Sequence, residues 1–239
     1  MSEKLKDLTI ISISYNNEDE LLATLKSYDD CLNQGATSIV INGGNVFDEK
    51  TFHNNVVLIE EEDDGIFDAL NKGVGLVKTK YLIMIHSGDK FTAKLDYLEG
   101  LLKTMDDDKL DLILGSQTIP FMKLKRKHSS NLWFPFFLKF GAQPPHMPTI
   151  YRKSFINDFE YDKGNKVIAD FFYFKDIFSK KPKWSKYAKP LIEMGPGGNT
   201  TNGFSSFILV SKQFIKNYGV VRGTLISLVR IPFKFIQMY

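Results

Sequence analysis

Over the first 115 residues, short aliphatic runs alternate with helix-period segments, and few folds accept that alternation. Leu8–Ser14 reads L-T-I-I-S-I-S, the mark of a strand buried on both faces. Glu18–Asn33 follows with Leu21, Leu22, Leu25 and Tyr28 at helical spacing. Thr37–Ile41, Val56–Ile59, Tyr81–Ile85 and Leu110–Leu114 read as further strands, and Ile66–Val77 and Leu95–Met105 as helices. Strand and helix joined by short polar turns predict an α/β fold with a Rossmann-like, mostly parallel central sheet flanked by helices. Ligands of such sheets sit beyond the carboxyl ends of the strands. Tyr15–Asn17, Asn42–Asn45, Glu60–Asp64 and His86–Asp89 each follow a strand end, so one rim should hold all four turns and a small-molecule site.

After Gly115 the texture changes. Residues 123–127 are a basic run, 131–140 are aromatic and irregular, and 143–149 hold three prolines and cannot be regular helix. Ile168–Phe178 is a very apolar helix candidate, 195–203 a Gly/Asn/Thr loop, and Phe204–Tyr218 a helix. Arg222–Tyr239 is a last helix, expected to be interrupted or kinked at Pro232. The expected organisation is an α/β half over 1–118 that carries the rim, a second half of the same domain over 119–203, and a helical extension over 204–239.

A net charge of +3 over 239 residues gives no footprint for nucleic acid. One cysteine, Cys31, cannot form an internal disulfide, which fits a reducing compartment. No N-terminal signal and no bilayer-length apolar run is visible, so the expected location is cytoplasmic. Peripheral membrane contact stays open. Lys212, Lys216, Arg222, Arg230 and Lys234 are spread among Phe204, Phe207, Phe214, Phe233 and Phe235. Basic, aromatic amphipathic helices bind anionic lipid surfaces, although packing on the sheet or a second subunit explains the pattern equally well. The 131–140 segment is another candidate contact.

Several acids and their neighbours suit chemistry. Asp89 ends S-G-D after a strand, where a carboxylate can hold Mg²⁺ or Mn²⁺ against a diphosphate; His86 could add a nitrogen ligand. A capping aspartate is the simpler explanation there. Asp64 and Asp68 stand at the start of a helix, where the dipole alone would justify them, and Asn71 and Lys72 could serve a phosphate. His146 is fixed in a rigid loop between Pro145 and Met147, where a lone histidine is more often structural. Asp170 is an acid among Ile168, Ala169, Phe171 and Phe172. An N-cap-like aspartate facing water explains it equally well; if it is buried, it must be paired or used, and desolvation would raise its pKa toward a general base's range.

In this order the pieces resemble inverting family 2 glycosyltransferases of the GT-A fold, more narrowly the bacterial branch that builds surface polysaccharides. S-I-S-Y-N-N (12–17) resembles the family's opening strand and turn, and I-N-G-G-N-V-F-D-E-K-T (41–51) its D-G-S-x-D-x-T. D-D-G-I-F-D-A-L-N-K-G (63–73) resembles D-x-G-I-Y-D-A-M-N-K-G, the most specific match. Y-L-I-M-I-H-S-G-D (81–89) resembles the strand that ends in the metal and diphosphate turn. P-H-M-P-T-I-Y-R (145–152) resembles P-H-Q-x-x-F-x-R, I-A-D-F-F-Y-F (168–174) resembles A-D-Y-D-F, and G-P-G-G-N-T-T (195–201) resembles G-G-x-S.

The resemblance implies transfer of a sugar from a UDP- or GDP-sugar to a saccharide or polyprenyl-linked hydroxyl, with inversion and with Mn²⁺ or Mg²⁺. Residue by residue it implies Asp170 as base and Asp89, with His86, as metal ligand. Donor contacts would come from Tyr15, Asn17, Asn42, Asp64, Asp68, Asn71, Lys72 and Ser87, and acceptor-side contacts from His146 and Arg152. The sequence departs from the family at Asn42, in place of an aspartate, at the single acid of H-S-G-D, and at Met147 and Pro148. A nucleotide-sugar-binding member without turnover is the alternative. A nucleotidyltransferase would need a Gly- and base-rich loop after the first strand, which Tyr15–Glu18 does not supply.

Overall fold

The structure is a computed structural model that describes residues 4–47, 52–121, 124–129, 134–141, 143–165, 167–195 and 203–238. The first strand, β1 (Leu8–Ser14), is buried at every position. It leads through α1 (Glu18–Ser27) and α2 (Asp29–Asn33) to β2 (Thr37–Asn42), then β3 (Val56–Glu60), α3 (Ile66–Leu76) and β4 (Tyr81–His86). These strands pair in parallel in the order β3-β2-β1-β4. Ser14 lies opposite Asn42, Asn42 opposite Glu60, and Ile13 opposite His86. The four turns expected on one rim do leave the same ends of adjacent strands.

The expected single helix over 18–33 is two helices that meet at Tyr28. The buried Tyr28 hydroxyl bonds to Ser12 of β1 and Ser38 of β2, both at 2.9 Å. Tying one side chain to two strands outweighs continuing one turn of helix. The same burial pushes the Tyr28 hydroxyl up to about 12 and the Cys31 thiol, also buried, up to about 12, so Cys31 is core filler.

Beyond β4 the sheet becomes mixed. It contains β5 (Lys90–Phe91), β6 (Leu112–Phe121), β7 (Leu124–Ser129), β8 (Ile150–Arg152) and β9 (Trp184–Glu193), with α4 (Leu95–Asp107), α5 (Lys153–Ile156) and α6 (Ala169–Ser179) between them. The path continues β4-β8-β6-β9-β5, with β7 on β6. The β4/β8, β6/β8, β6/β7 and β5/β9 pairs are antiparallel, while β6/β9 is parallel. The basic run at 123–127 mostly belongs to β7, which pairs with β6 alone among the described residues; lysines on such an edge discourage pairing with other chains. One hydrophobic cluster runs through both halves of the sheet, from Ile10 and Ile83 to Leu112, Phe174 and Leu191.

The C-terminal segment is a helical hairpin, α7 (Gly203–Tyr218) and α8 (Val220–Met238), turning at Gly219. The expected interruption at Pro232 is absent: α8 continues through it as one helix, and it packs on α7. Among the described residues no helix is long and apolar enough to cross a membrane. Residues 196–202, most of the expected Gly/Asn/Thr loop, lie outside the described residues, as do 131–133 of the aromatic stretch.

Candidate active site

The donor-side rim is a set of interlocked turns. Asn17 ends the first of them: its Oδ1 accepts the Ser14 hydroxyl at 2.6 Å and the Tyr15 N–H at 3.2 Å. This leaves the Tyr15 ring 66% exposed, open to stack on a planar group. Asn42 is buried and turns inward. Its amide donates to the Asn45 carbonyl at 2.5 Å and its Oδ1 accepts the Gly44 N–H at 3.2 Å. It shapes the turn instead of presenting itself to a ligand. Asn16 Oδ1 accepts the Asn45 N–H at 2.9 Å and so clips the first turn to the second. The third turn closes on the second at Gly43, where a Cβ would stand 2.0 Å from Asp63 Oδ2.

Asp63 was not among the sequence candidates, yet it occupies this rim. Its Oδ1 accepts the Gly65 N–H at 2.8 Å. The motif D-x-G already pointed to it, because the acid two residues before Gly65 is Asp63, not Asp64. Asp64 is exposed beside it, and its N–H donates to Asp68 Oδ2 at 3.1 Å. Asp68 is buried and paired with Lys163 at 2.9 Å and Lys72 at 3.4 Å. The Lys163 hydrogen bond, then the Asp64 N–H, hold its carboxyl down at about 2. Lys72 also reaches Glu61 at 3.0 Å and the Glu62 carbonyl at 2.6 Å. Asp68 and Lys72 therefore fasten the acidic turn to α3. Asn71 points elsewhere: it exchanges hydrogen bonds of 2.9 and 2.8 Å with the Tyr161 backbone, pinning a segment 90 residues away.

The fourth turn carries Asp89. Thr24 of α1 braces it, accepting the Gly88 N–H at 3.0 Å and donating to the Asp89 carbonyl at 2.7 Å. Ser87 Oγ reaches the Asn17 carbonyl at 3.4 Å. The Asp89 side chain accepts the Gly195 N–H at 2.9 Å. Gly195 must be glycine, since a Cβ there would stand 2.2 Å from the Gly88 carbonyl oxygen. Burial pushes the Asp89 carboxyl up to about 6, and no lysine or arginine pairs with it among the described residues. A desolvated carboxylate without a counter-charge fits a divalent cation bound in the sparse mode of Mg²⁺ or Mn²⁺, one protein acid plus phosphate oxygens and water. Among the described residues no three His, Cys, Asp or Glu side chains converge as a complete cage.

His86 does not turn toward that aspartate's role. Its ring faces His146 with centroids 5.6 Å apart, and its Nε2 is buried without a partner. Burial, then the second imidazole, hold His86 down at about 3, while burial alone holds His146 at about 4. Both rings are neutral at physiological pH. His146 Nδ1 lies 3.9 Å from Asp170 Oδ2, and its Nε2 is likewise buried without a partner. The two histidines thus bridge the donor turn and the acid on α6.

Asp170 sits in the first turn of α6. Its Oδ1 accepts the Phe171 N–H at 2.9 Å and its Oδ2 accepts the Gln143 side-chain amide. Burial raises its carboxyl to about 6; those hydrogen bonds and the charge of Arg230 pull the other way. Tyr161 and Tyr173, stacked at 4.0 Å, form an aromatic wall nearby, and the Tyr173 hydroxyl is buried without a partner. Gln143 and Arg230 are the residues sequence reasoning missed here. Arg230 is one of the bases spread through the C-terminal helices, for which both a lipid-facing and a packed role stood open. It is turned inward instead, 5.1 Å over the Phe214 ring with Nη1 buried and unpartnered, and desolvation lowers it to about 10.

Arg152 lies at the other rim. It pairs with Tyr81, the first residue of β4, and its guanidinium donates to the Leu110 and Met105 carbonyls at 2.8 and 2.6 Å. Those carbonyls end α4 and its turn, so the arginine serves the scaffold and not the site around His146.

A strand-end rim with a cation-seeking acid, joined through two neutral histidines to a half-buried carboxylate of raised pKa, is an arrangement that can hold a diphosphate and deprotonate a hydroxyl. The model of the family described as glycosyl transferase family 2 matches residues 9–165. The chain belongs to that family. As a family 2 glycosyltransferase it has the mixed α/β GT-A architecture, and solved structures agree. The 1–349 fragment of S. aureus TarS superposes with a TM-score of 0.61 at 14% identity over 87% of this chain and 65% of that one. The same fragment in complex with UDP gives 0.63 at 13% identity, with the same coverage. The mannosyltransferase PcManGT from Pyrobaculum calidifontis, in complex with GDP-Man and Mn²⁺, gives 0.59 at 11% identity over 98% of this chain and 69% of that one. The chain thus spans about two thirds of the TarS fragment, and 40% of a longer TarS structure. No curated protein sequence matches it.

Proposed function

We propose that this family 2 glycosyltransferase moves a hexose from a UDP- or GDP-sugar to an acceptor hydroxyl with inversion, in bacterial polysaccharide or lipid-linked oligosaccharide synthesis. The observation that carries the reading is Asp170: a half-buried carboxylate with a pKa raised to about 6, beside His146, whose ring faces His86 at the end of β4. Asp170 takes the acceptor proton while the hydroxyl oxygen forms its bond to the anomeric carbon. The bond from that carbon to the diphosphate breaks, and its electron pair leaves with the nucleoside diphosphate. Gln143 and Arg230 orient the base and keep its charged form accessible. His146 stands on the acceptor side beside Asp170, with His86 behind it.

On the donor side Tyr15 stacks on the base, and Asp63 and Asp64 meet ribose or base edges. Asp89 would hold a divalent cation, Mn²⁺ or Mg²⁺. Such a cation, when bound, supplies positive charge against the leaving diphosphate. The fit of Asp89 to a cation supports this part of the reading, as does PcManGT, whose complex contains Mn²⁺.

The test is nucleoside-diphosphate release from a panel of nucleotide sugars with Mn²⁺ and an acceptor extract. Asp170→Asn should lower turnover by about a hundredfold or more, in the range of general-base effects, with donor affinity unchanged. Unchanged turnover would remove Asp170 from its role. Donor binding without release from any sugar would favour a binding protein without turnover, the reading that the single acid at 86–89 keeps in view.

A further inference from the structure

A concavity lies against α6, with Asp170 outside its lining. It encloses about 410 Å³ between the short 3₁₀ helix at Phe136–Phe140, α6 and the turn of the α7–α8 hairpin. Phe171, Phe178 and Leu138 form an apolar floor. Lys139, Lys175 and Arg222 stand around it. None of these cations has a carboxylate partner among the described residues. Each rests on a ring instead: Lys139 4.0 Å from the Phe136 centroid, Lys175 5.3 Å and Arg222 5.0 Å from that of Tyr218. Asp176, the other acid of α6, is not part of the lining.

The ground around it is unusually apolar for a surface. Phe136 is 58% exposed on one lip, and Val220 and Val221, between the lining residues Tyr218 and Arg222, are 72% and 77% exposed. We propose that this groove is a docking site for an anionic membrane phospholipid, with the phosphate among the three cations, the first acyl carbons on the phenylalanine floor, and Phe136, Val220 and Val221 in the interface. Charge complementarity selects an anion, and the floor selects one that carries hydrocarbon. A soluble phosphate would leave the rings wet, and an acidic peptide would leave the exposed valines uncovered. Phe171 of the floor follows Asp170 directly, so a lipid docked here lies one residue along α6 from the proposed base. That consequence rests on the function proposed for Asp170, whereas the lipid site itself does not.

The experiment is co-sedimentation of the full chain with phosphatidylcholine vesicles, with and without phosphatidylglycerol, run beside donor-binding calorimetry. Binding should require phosphatidylglycerol and fall at least about tenfold in Lys139→Glu/Lys175→Glu/Arg222→Glu, given the contribution of each base near an anionic surface. Lys212→Glu/Lys216→Glu, on exposed positions of α7, should change it far less. Equal binding by the triple variant, loss through the α7 pair instead, or release by millimolar-range inorganic phosphate would each overturn the proposal. If the triple variant melts early, Phe136→Ser keeps the question open to measurement and should weaken binding several-fold. A second readout uses Trp184, which packs 5.8 Å from Phe178 under the groove. In Trp133→Phe, brominated phosphatidylglycerol should quench Trp184, and an absence of quenching in vesicle-bound protein would place the contact elsewhere. Donor affinity unchanged throughout keeps this outcome separate from any failure of the proposed transfer.

Discussion

Burial gives Asp170 its basicity and, by the same physics, strains the fold near neutral pH. Its folded pKa, about 6, lies above the ordinary carboxylate value. The stability associated with its proton is therefore complete below about pH 4 and is lost as pH rises through about 6. Asp170→Asn should then melt higher than wild type near neutral pH, by about 1–2 kcal/mol, and the gain should vanish below about pH 4. Calorimetry at the two pH values checks the sign. Turnover should follow the opposite course, rising with pH along a limb near 6 as the base ionises. Arg230→Met removes a charge that favours the carboxylate, so the limb should move to higher pH, with Arg230→Lys in between; a pH profile of turnover measures it. The acid was legible in the sequence because it interrupts a run of phenylalanines. Arg230 was not, because amphipathic spacing does not say which face a helix turns inward until its hairpin partner is known.

At the level of elements, the parallel half of the sheet was readable because β1, β2 and β4 are buried on both faces and show it as mostly aliphatic runs whose only polar members inside are small or at the ends. β9 escaped because Lys186 and Lys189 dilute it, and β5 and β8 because two or three residues carry no period. Their existence depends on partners far away in the chain. Asn71 shows the same limit. From its motif it reads as a ligand contact, yet its amide ties α3 to Tyr161. Asn71→Ala should cost about 2 kcal/mol in urea unfolding, from two lost hydrogen bonds, and leave nucleotide affinity close to wild type. Gly43→Ala should do the reverse. Its Cβ would push the Asp63 carboxylate aside, weakening nucleotide binding in calorimetry by on the order of 1 kcal/mol with little change in melting.

Across the whole molecule, the donor rim comes from the first 89 residues and Asp170 from a helix beyond the mixed strands, with one core beneath both. The rim was predictable from topology alone. The approach of His146 to His86 was not, since β8 must first insert beside β4 to bring the proline-rich loop across.

The amide of Gly195 closes onto Asp89 from beyond the end of β9, so one carboxylate answers to both halves of the proposed site. A carboxylate shared in this way makes occupancy on one side perceptible on the other. Catalysis should accordingly run in a compulsory sequence, nucleotide sugar first and alcohol second. Initial-rate plots should intersect, and the released nucleoside diphosphate should compete with the donor while inhibiting noncompetitively against the acceptor.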